Sequence, residues 1–151
     1  MLQTPMNAYN IESILAHRFP MLLIDEIKSI EPMLSCRAFK TLRADEWFFS
    51  GHFPGHPVMP GSLQIEAFTQ AVALPLLIGK DSRQQEEFPL ILFAVDKARF
   101  YRQLLPSEKL EIIVQIDRLS MGMASASAIG LVGTDKVSEC KIAYRLKGIS
   151  K

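Results

Sequence analysis

The run Phe49-Ser50-Gly51-His52-Phe53-Pro54-Gly55-His56-Pro57-Val58-Met59-Pro60-Gly61 leads directly into a long apolar segment with a single carboxylate, Glu66. Pro54, Pro57 and Pro60 each fix φ and turn the preceding residue away from the helical region, so His52 is expected on a rigid, non-helical loop. From Ser62 to Ile78 apolar residues occupy nearly every side of a helical projection, and Gly79 supplies a stop signal. This pattern predicts a helix enclosed by other structure, with Pro75 kinking or ending it near its last turn. Glu66 falls in the first two turns, with Leu63, Ala67 and Gln70 at neighbouring helical spacings. Loss of hydration there is expected to raise its pKa and make the protonated, donating form accessible near neutrality. The alternative is an N-terminal acid that complements the helix dipole. An imidazole on a stiff loop beside a buried acid supplies the parts of an acid/base site.

The rest of the chain reads as one α+β domain over residues 1–151, without repeats or low-complexity linkers. Asn10 followed by Ile11, Ile14 and Leu15 predicts an N-capped short helix, and His17 beside Arg18 is read as closing it. Strands are predicted at Met21 to Ile30, Met33 to Leu42, Leu90 to Tyr101, Leu110 to Leu119, Met123 to Val132 and Val137 to Leu146. Lys80 to Phe88 is polar and reads as a mobile loop. One buried helix followed by a run of strands fits a sheet wrapped around a helix, although periodicity does not give the strand order.

Composition excludes several classes. A net charge of +1 argues against a dedicated nucleic-acid or acidic-membrane binder. Met1 to Asn10 lacks the basic and apolar regions of a signal peptide, and the run Ala71 to Ile78 is far shorter than the ~20 residues needed to span a bilayer. Cys36 and Cys140 stand alone in strand-like segments, so reduced, buried thiols in a cytoplasmic protein are expected. His52 and His56 have an i, i+4 spacing, but Pro54 within that span and Pro57 beside it prevent helical presentation and no third ligand is in sight, so no metal is expected. His56 is read as a loop residue near a tunnel mouth or the surface. No G-x-S-x-G occurs.

The strings Gly51-His52-Phe53-Pro54, Pro57-Val58-Met59-Pro60-Gly61, and Glu66-Ala67 with Gln70 closely resemble the signature of the bacterial (3R)-hydroxyacyl-acyl-carrier-protein dehydratases of type II fatty acid synthesis. Leu15-Ala16-His17-Arg18-Phe19-Pro20-Met21-Leu22-Leu23-Ile24-Asp25 and Asp96-Lys97-Ala98-Arg99-Phe100 agree with the same family, so the likeness covers almost the whole chain. The resemblance implies a hot-dog fold, a curved antiparallel sheet wrapped around a long central helix, with two protomers paired through their sheets. It also implies catalysis by a loop histidine acting with a helix acid of the partner subunit, here His52 and Glu66. Glutamate at the second position points to the branch that dehydrates without isomerising the double bond. Gly61 matches the glycine whose amide polarises the thioester carbonyl. The implied partner is acyl carrier protein bearing a phosphopantetheine-linked 3-hydroxyacyl chain, and trimers of dimers are known in the family.

On this reading Phe53, Val58, Met59, Leu63 and Phe68 are candidates for the apolar wall of an acyl tunnel. Lys97, Arg99 and Arg102 are candidates for docking the acidic carrier, with Lys97 and Arg99 on one face of a strand and Arg102 on the other. The chain departs from the family pattern at Ser62, at Phe68-Thr69, at Pro106-Ser107-Glu108 and in Ile91 to Val95, which lacks a glycine. The chemistry needs a neutral imidazole to take the C2 proton, a carboxyl to assist loss of the C3 hydroxyl, and a fixed amide to meet charge on the thioester oxygen. It needs no metal or organic cofactor. A dehydratase of a specialised polyene or polyketide pathway would share these residues. A hot-dog thioesterase would use the same carboxylate to activate water, and a carrier-binding module would keep the patch without turnover.

Overall fold

The central helix, α1, spans Gly61–Leu77 and begins where Pro60 holds the chain extended at φ −57°, ψ 137°. No side chain caps it and no acid lies in its first turn. From Ala67 to Leu77 every residue is buried, in keeping with the all-round apolar pattern. The helix runs through Pro75 instead of stopping there. An internal proline costs about 3 kcal/mol, but burial of a large apolar side chain returns about 1.5–3 kcal/mol, and Phe68, Leu74 and Leu76 are all enclosed. The Pro75 carbonyl accepts the Met33 amide at 2.9 Å.

This computed structural model describes residues 6–7, 11–78 and 90–147. The capping position Asn10, the stop at Gly79 and the polar loop Lys80 to Phe88 lie outside the described residues. Around α1 the described strands, β1 Met6–Asn7, β2 Glu26–Glu31, β3 Ser35–Thr41, β4 Leu90–Phe100, β5 Lys109–Ser120, β6 Met123–Val132 and β7 Asp135–Leu146, form one antiparallel sheet in the order β1-β2-β3-β5-β6-β7-β4.

 The spatial sequence departs from chain order after β3. β4 is not a neighbour of β3 or β5 but lies at the far edge, hydrogen-bonded to β7 alone among the described residues. The expected first strand is shorter than Met21 to Ile30, because Met21 lies in a turn and pairing begins at Glu26.

In β3, β5, β6 and β7 burial alternates with the pleat. The inner face of β6 carries Ala124, Ala126 and Ala128, all buried. Gly130 continues that row and makes room for the helix: a Cβ there would stand 3.1 Å from the Phe68 ring and 2.7 Å from the Ser138 hydroxyl. β4 differs. Beyond Leu90 none of its residues is buried within the chain, and Phe93 is 59% exposed. Its pairing with β7 slips between Asp96 and Arg99, where Lys97 takes φ 52°.

A buried ion-pair cluster fastens the segment that precedes the proline-rich loop. Lys40 on β3 is only 2% exposed, and its ammonium lies 2.6 Å from Glu46 and 3.5 Å from Asp25. Asp25 also accepts the Thr41 amide at 2.7 Å. Arg43 approaches Asp25 at 3.5 Å and Glu46 at 3.3 Å from the solvent side.

Candidate active site

The loop that carries His52 is fixed by its own backbone. The His52 amide donates to Phe48 O at 3.0 Å, the Val58 amide to His52 O at 2.8 Å, and Phe53 and His56 exchange hydrogen bonds at 2.9 Å. The Met59 amide then ties the loop to Leu104 O at 2.9 Å. Gly55 allows the tight return through a left-handed φ of 74°. His52 Nδ1 lies 2.7 Å from Val58 O. A carbonyl can only accept, so Nδ1 carries the proton, and in the neutral ring Nε2 keeps its lone pair. The ring stacks on Phe53 with centroids 4.0 Å apart. This is the tautomer and support that a general base requires. His56 is exposed, with Nε2 3.3 Å from Gln103 Oε1.

Glu66 is held by side chains instead. Gln70, one turn later on α1, donates from Nε2 to Glu66 Oε1 at 2.8 Å. The same amide nitrogen donates to Met21 O at 2.7 Å, and Gln70 Oε1 accepts the Leu23 amide at 2.9 Å. His17 Nε2 stands 3.4 Å from Glu66 Oε1. The His17 imidazole beside the carboxyl outweighs partial burial, and with the Gln70 donor it holds the Glu66 pKa below the ordinary carboxylate value. The sequence-based expectation of a raised value is therefore corrected: burial acts in the expected direction, but the hydrogen-bond donors are stronger. The expectation that His17 closes the first helical turn is corrected as well. That turn, in which Ile14 and Leu15 donate to Ile11 O, is closed by the Arg18 guanidinium, which reaches Leu15 O at 2.8 Å.

Gly61 opens α1, where the first amides have no intrahelical acceptor and the dipole is positive. A Cβ at Gly61 would meet the Phe100 ring at 3.1 Å. Within one chain no hydrogen bond or ion pair joins His52 to Glu66 among the described residues. Of the apolar candidates, Val58, Met59 and Phe68 are buried, Leu63 is half-buried against the core, and Phe53 is exposed. Gln64 is buried beside them, 3.5 Å from Met59 O, and its Oε1 has no partner among the described residues.

The basic residues separate into two settings. Lys97 and Arg99 line a groove of about 360 Å³ together with Ser127, Ile129, Glu139 and Lys141. Arg102 lies beyond the end of β4, and its guanidinium is 3.0 Å from Glu108. Sequence reasoning missed the link from His17 to Glu66, for which no local spacing gives a signal. The i, i+4 spacing of Glu66 and Gln70 did signal their contact.

The family described as FabA-like domain matches residues 15–141. The chain is 39% identical, over 93% of its length and 86% of the relative, to the 3-hydroxyacyl-[acyl-carrier-protein] dehydratase FabZ of Ralstonia nicotianae. It is 36% identical, over 89% of its length and 92% of the relative, to the protein of the same name from Clostridium novyi. Among solved structures it is similar to a chain of the dehydratase heterocomplex ApeI:P from Xenorhabdus doucetiae. That match has a TM-score of 0.74 and 16% identity and covers 92% of this chain and 91% of the other. The structural likeness identifies the sheet around α1 as a hot-dog fold.

Proposed function

The chain belongs to the FabA-like family of 3-hydroxyacyl-[acyl-carrier-protein] dehydratases, and from this premise we propose that His52 and Glu66, supplied by two copies of the chain, carry out its elimination reaction. The enzyme is a hydro-lyase that dehydrates 3-hydroxyacyl-acyl carrier protein in fatty acid biosynthesis. The observation that carries the residue assignment is the hydrogen bond between His52 Nδ1 and Val58 O, which leaves Nε2 as the basic nitrogen. In this reading Nε2 takes the C2 proton of a (3R)-hydroxyacyl thioester. Glu66 assists departure of the C3 hydroxyl as acid or water orienter, and the Gly61 amide meets the charge on the thioester oxygen. The product is the trans-2-enoyl thioester, without isomerisation.

A dimer paired through β4 is part of the proposal. It is supported by the lack of a His52–Glu66 contact within one chain and by the exposed apolar residues Ile91, Leu92, Phe93 and Phe100 on an edge strand. Val58, Met59, Leu63, Phe68 and Phe53 remain the proposed acyl wall. Lys97 and Arg99 are the proposed docking cations, with Arg102 contributing less because Glu108 neutralises it. Cytoplasmic location is supported by two free, buried cysteines. Among the described residues no helix is long and apolar enough to cross a membrane.

The test follows ultraviolet absorbance and free thiol together on a (3R)-3-hydroxyacyl thioester of acyl carrier protein. Enoyl absorbance without thiol is expected. His52→Ala and Glu66→Gln should each lower turnover about 10²–10⁴-fold, and mixed dimers of the two should recover part of it. Thiol without enoyl product would make the enzyme a thioesterase, and no recovery in verified mixed dimers would refute the shared site.

A further inference from the structure

We infer that His17 and Glu66 act as one acid pair, in which the His17 imidazolium supplies the proton that Glu66 passes to the departing C3 hydroxyl. The inference rests on the reading of Glu66 as the acid and deepens it. The geometry is specific: His17 Nε2 lies 3.4 Å from Glu66 Oε1, and both side chains are about a quarter exposed. Gln70 Nε2 reaches the same oxygen at 2.8 Å. Gln70 is itself pinned to the backbone of Met21 and Leu23, so the carboxylate cannot swing away without breaking buried hydrogen bonds.

A carboxylate held in this way is ionised at neutral pH. Alone, it has no proton to give, and the imidazole is the adjacent group able to hold one reversibly in this range. Gln70 donates a hydrogen bond but cannot transfer a proton. Other charged and titratable groups surround the pair. Arg18 lies beside His17 in the chain with Glu12 3.9 Å from its Nε, and Tyr144 of β7 donates to Thr69 O on the helix. Burial pushes the Tyr144 hydroxyl up to about 12, so it stays protonated through the working range.

His52 Nε2 takes the C2 proton, and the C–H electron pair forms the C2–C3 double bond. The C3–O bond breaks with its pair on oxygen, which takes a proton from Glu66 and leaves as water. That proton is the one Glu66 Oε1 draws from His17 Nε2 as the bond breaks, so Glu66 begins and ends as a carboxylate and His17 ends neutral. The pair has given one proton to the departing water and His52 holds the one from C2, and exchange with solvent restores both before the next turnover.

The experiment is a pH profile of kcat and KM for the wild-type dimer, His17→Gln and Glu66→Gln. Glutamine keeps a donor toward Glu66 but cannot carry the titrating proton. The expected result is a kcat reduced roughly 10–100-fold at pH 8, with KM changed little and the alkaline limb displaced toward acid. A lower kcat with the alkaline limb unmoved would mean that His17 only supports the carboxylate, and an unchanged kcat would exclude it altogether. Full activity of Glu66→Gln would instead refute the underlying reading of Glu66. A second measurement needs no variant. The carboxylate ¹³C resonance of Glu66 in the wild-type protein should show an additional step as its imidazole partner changes protonation state. A single step at acid pH would overturn the pair.

Discussion

The two halves of the site are built from different materials. His52 is held by main-chain groups, with Val58 O against its ring and Phe48 O accepting its amide. Glu66 is held by the side chains of Gln70 and His17. Main-chain support survives most substitutions around it and fails when the path of the backbone changes. Side-chain support can be removed one contact at a time. The loop half is therefore expected to respond abruptly, and the helix half by degrees.

Among variants that leave both His52 and Glu66 in place, Gly61→Val should give the largest effect. The added branch would collide with the Phe100 ring at the helix entrance, and kcat/KM should fall roughly 10²-fold, on the scale of a lost oxyanion donor. A change below threefold in steady-state kinetics would show that the entrance tolerates displacement and would remove the contrast. Gln70→Leu tests the helix half. It leaves Met21 O and the Leu23 amide without their partner and should cost about 1–3 kcal/mol of unfolding free energy per buried group left unsatisfied. Its kcat should fall only about tenfold. Urea unfolding and activity on the same sample measure both, and a loss as large as that of Gly61→Val would erase the distinction.

The smallest effect lies away from both halves and calibrates them. Burial pushes the Cys36 thiol from 9.0 up to about 12. Above pH 9 the unfolded chain gives up a proton that the folded chain keeps, so this contribution is whole below pH 9 and declines as pH rises toward 12. At pH 10 the decline should be about 1 kcal/mol. Comparing the pH dependence of stability for wild type and Cys36→Ala isolates it, and identical slopes would show that the thiol is not the source.

Much of the fold was legible because its signals are local. Pro60 set the start of α1, the all-round apolar pattern gave its burial, and β6 occupies the expected Met123–Val132. The place of β4 was not legible, since strand order depends on pairing across the sheet and no local pattern in Leu90–Phe100 records its neighbour. His52 was readable from the prolines that stiffen its loop. The charge state of Glu66 was not, because its strongest partner lies 49 residues earlier in the chain as the spacing of His17 and Glu66 shows, and solvation alone points in the opposite direction.

The ion pair beneath the loop also restricts how the sequence can change. Lys40 and Glu46 are both enclosed, so salt screens them little. Replacing either one alone leaves the other with only its longer contact, Asp25 for Lys40 or Arg43 for Glu46, and should cost up to about 3–5 kcal/mol, whereas exchanging both for apolar residues of similar volume should cost less. Neither position is free to drift by itself. A lineage that leaves this pairing must alter the two together, or pass through an intermediate that has spent much of its stability at the foot of the loop carrying His52.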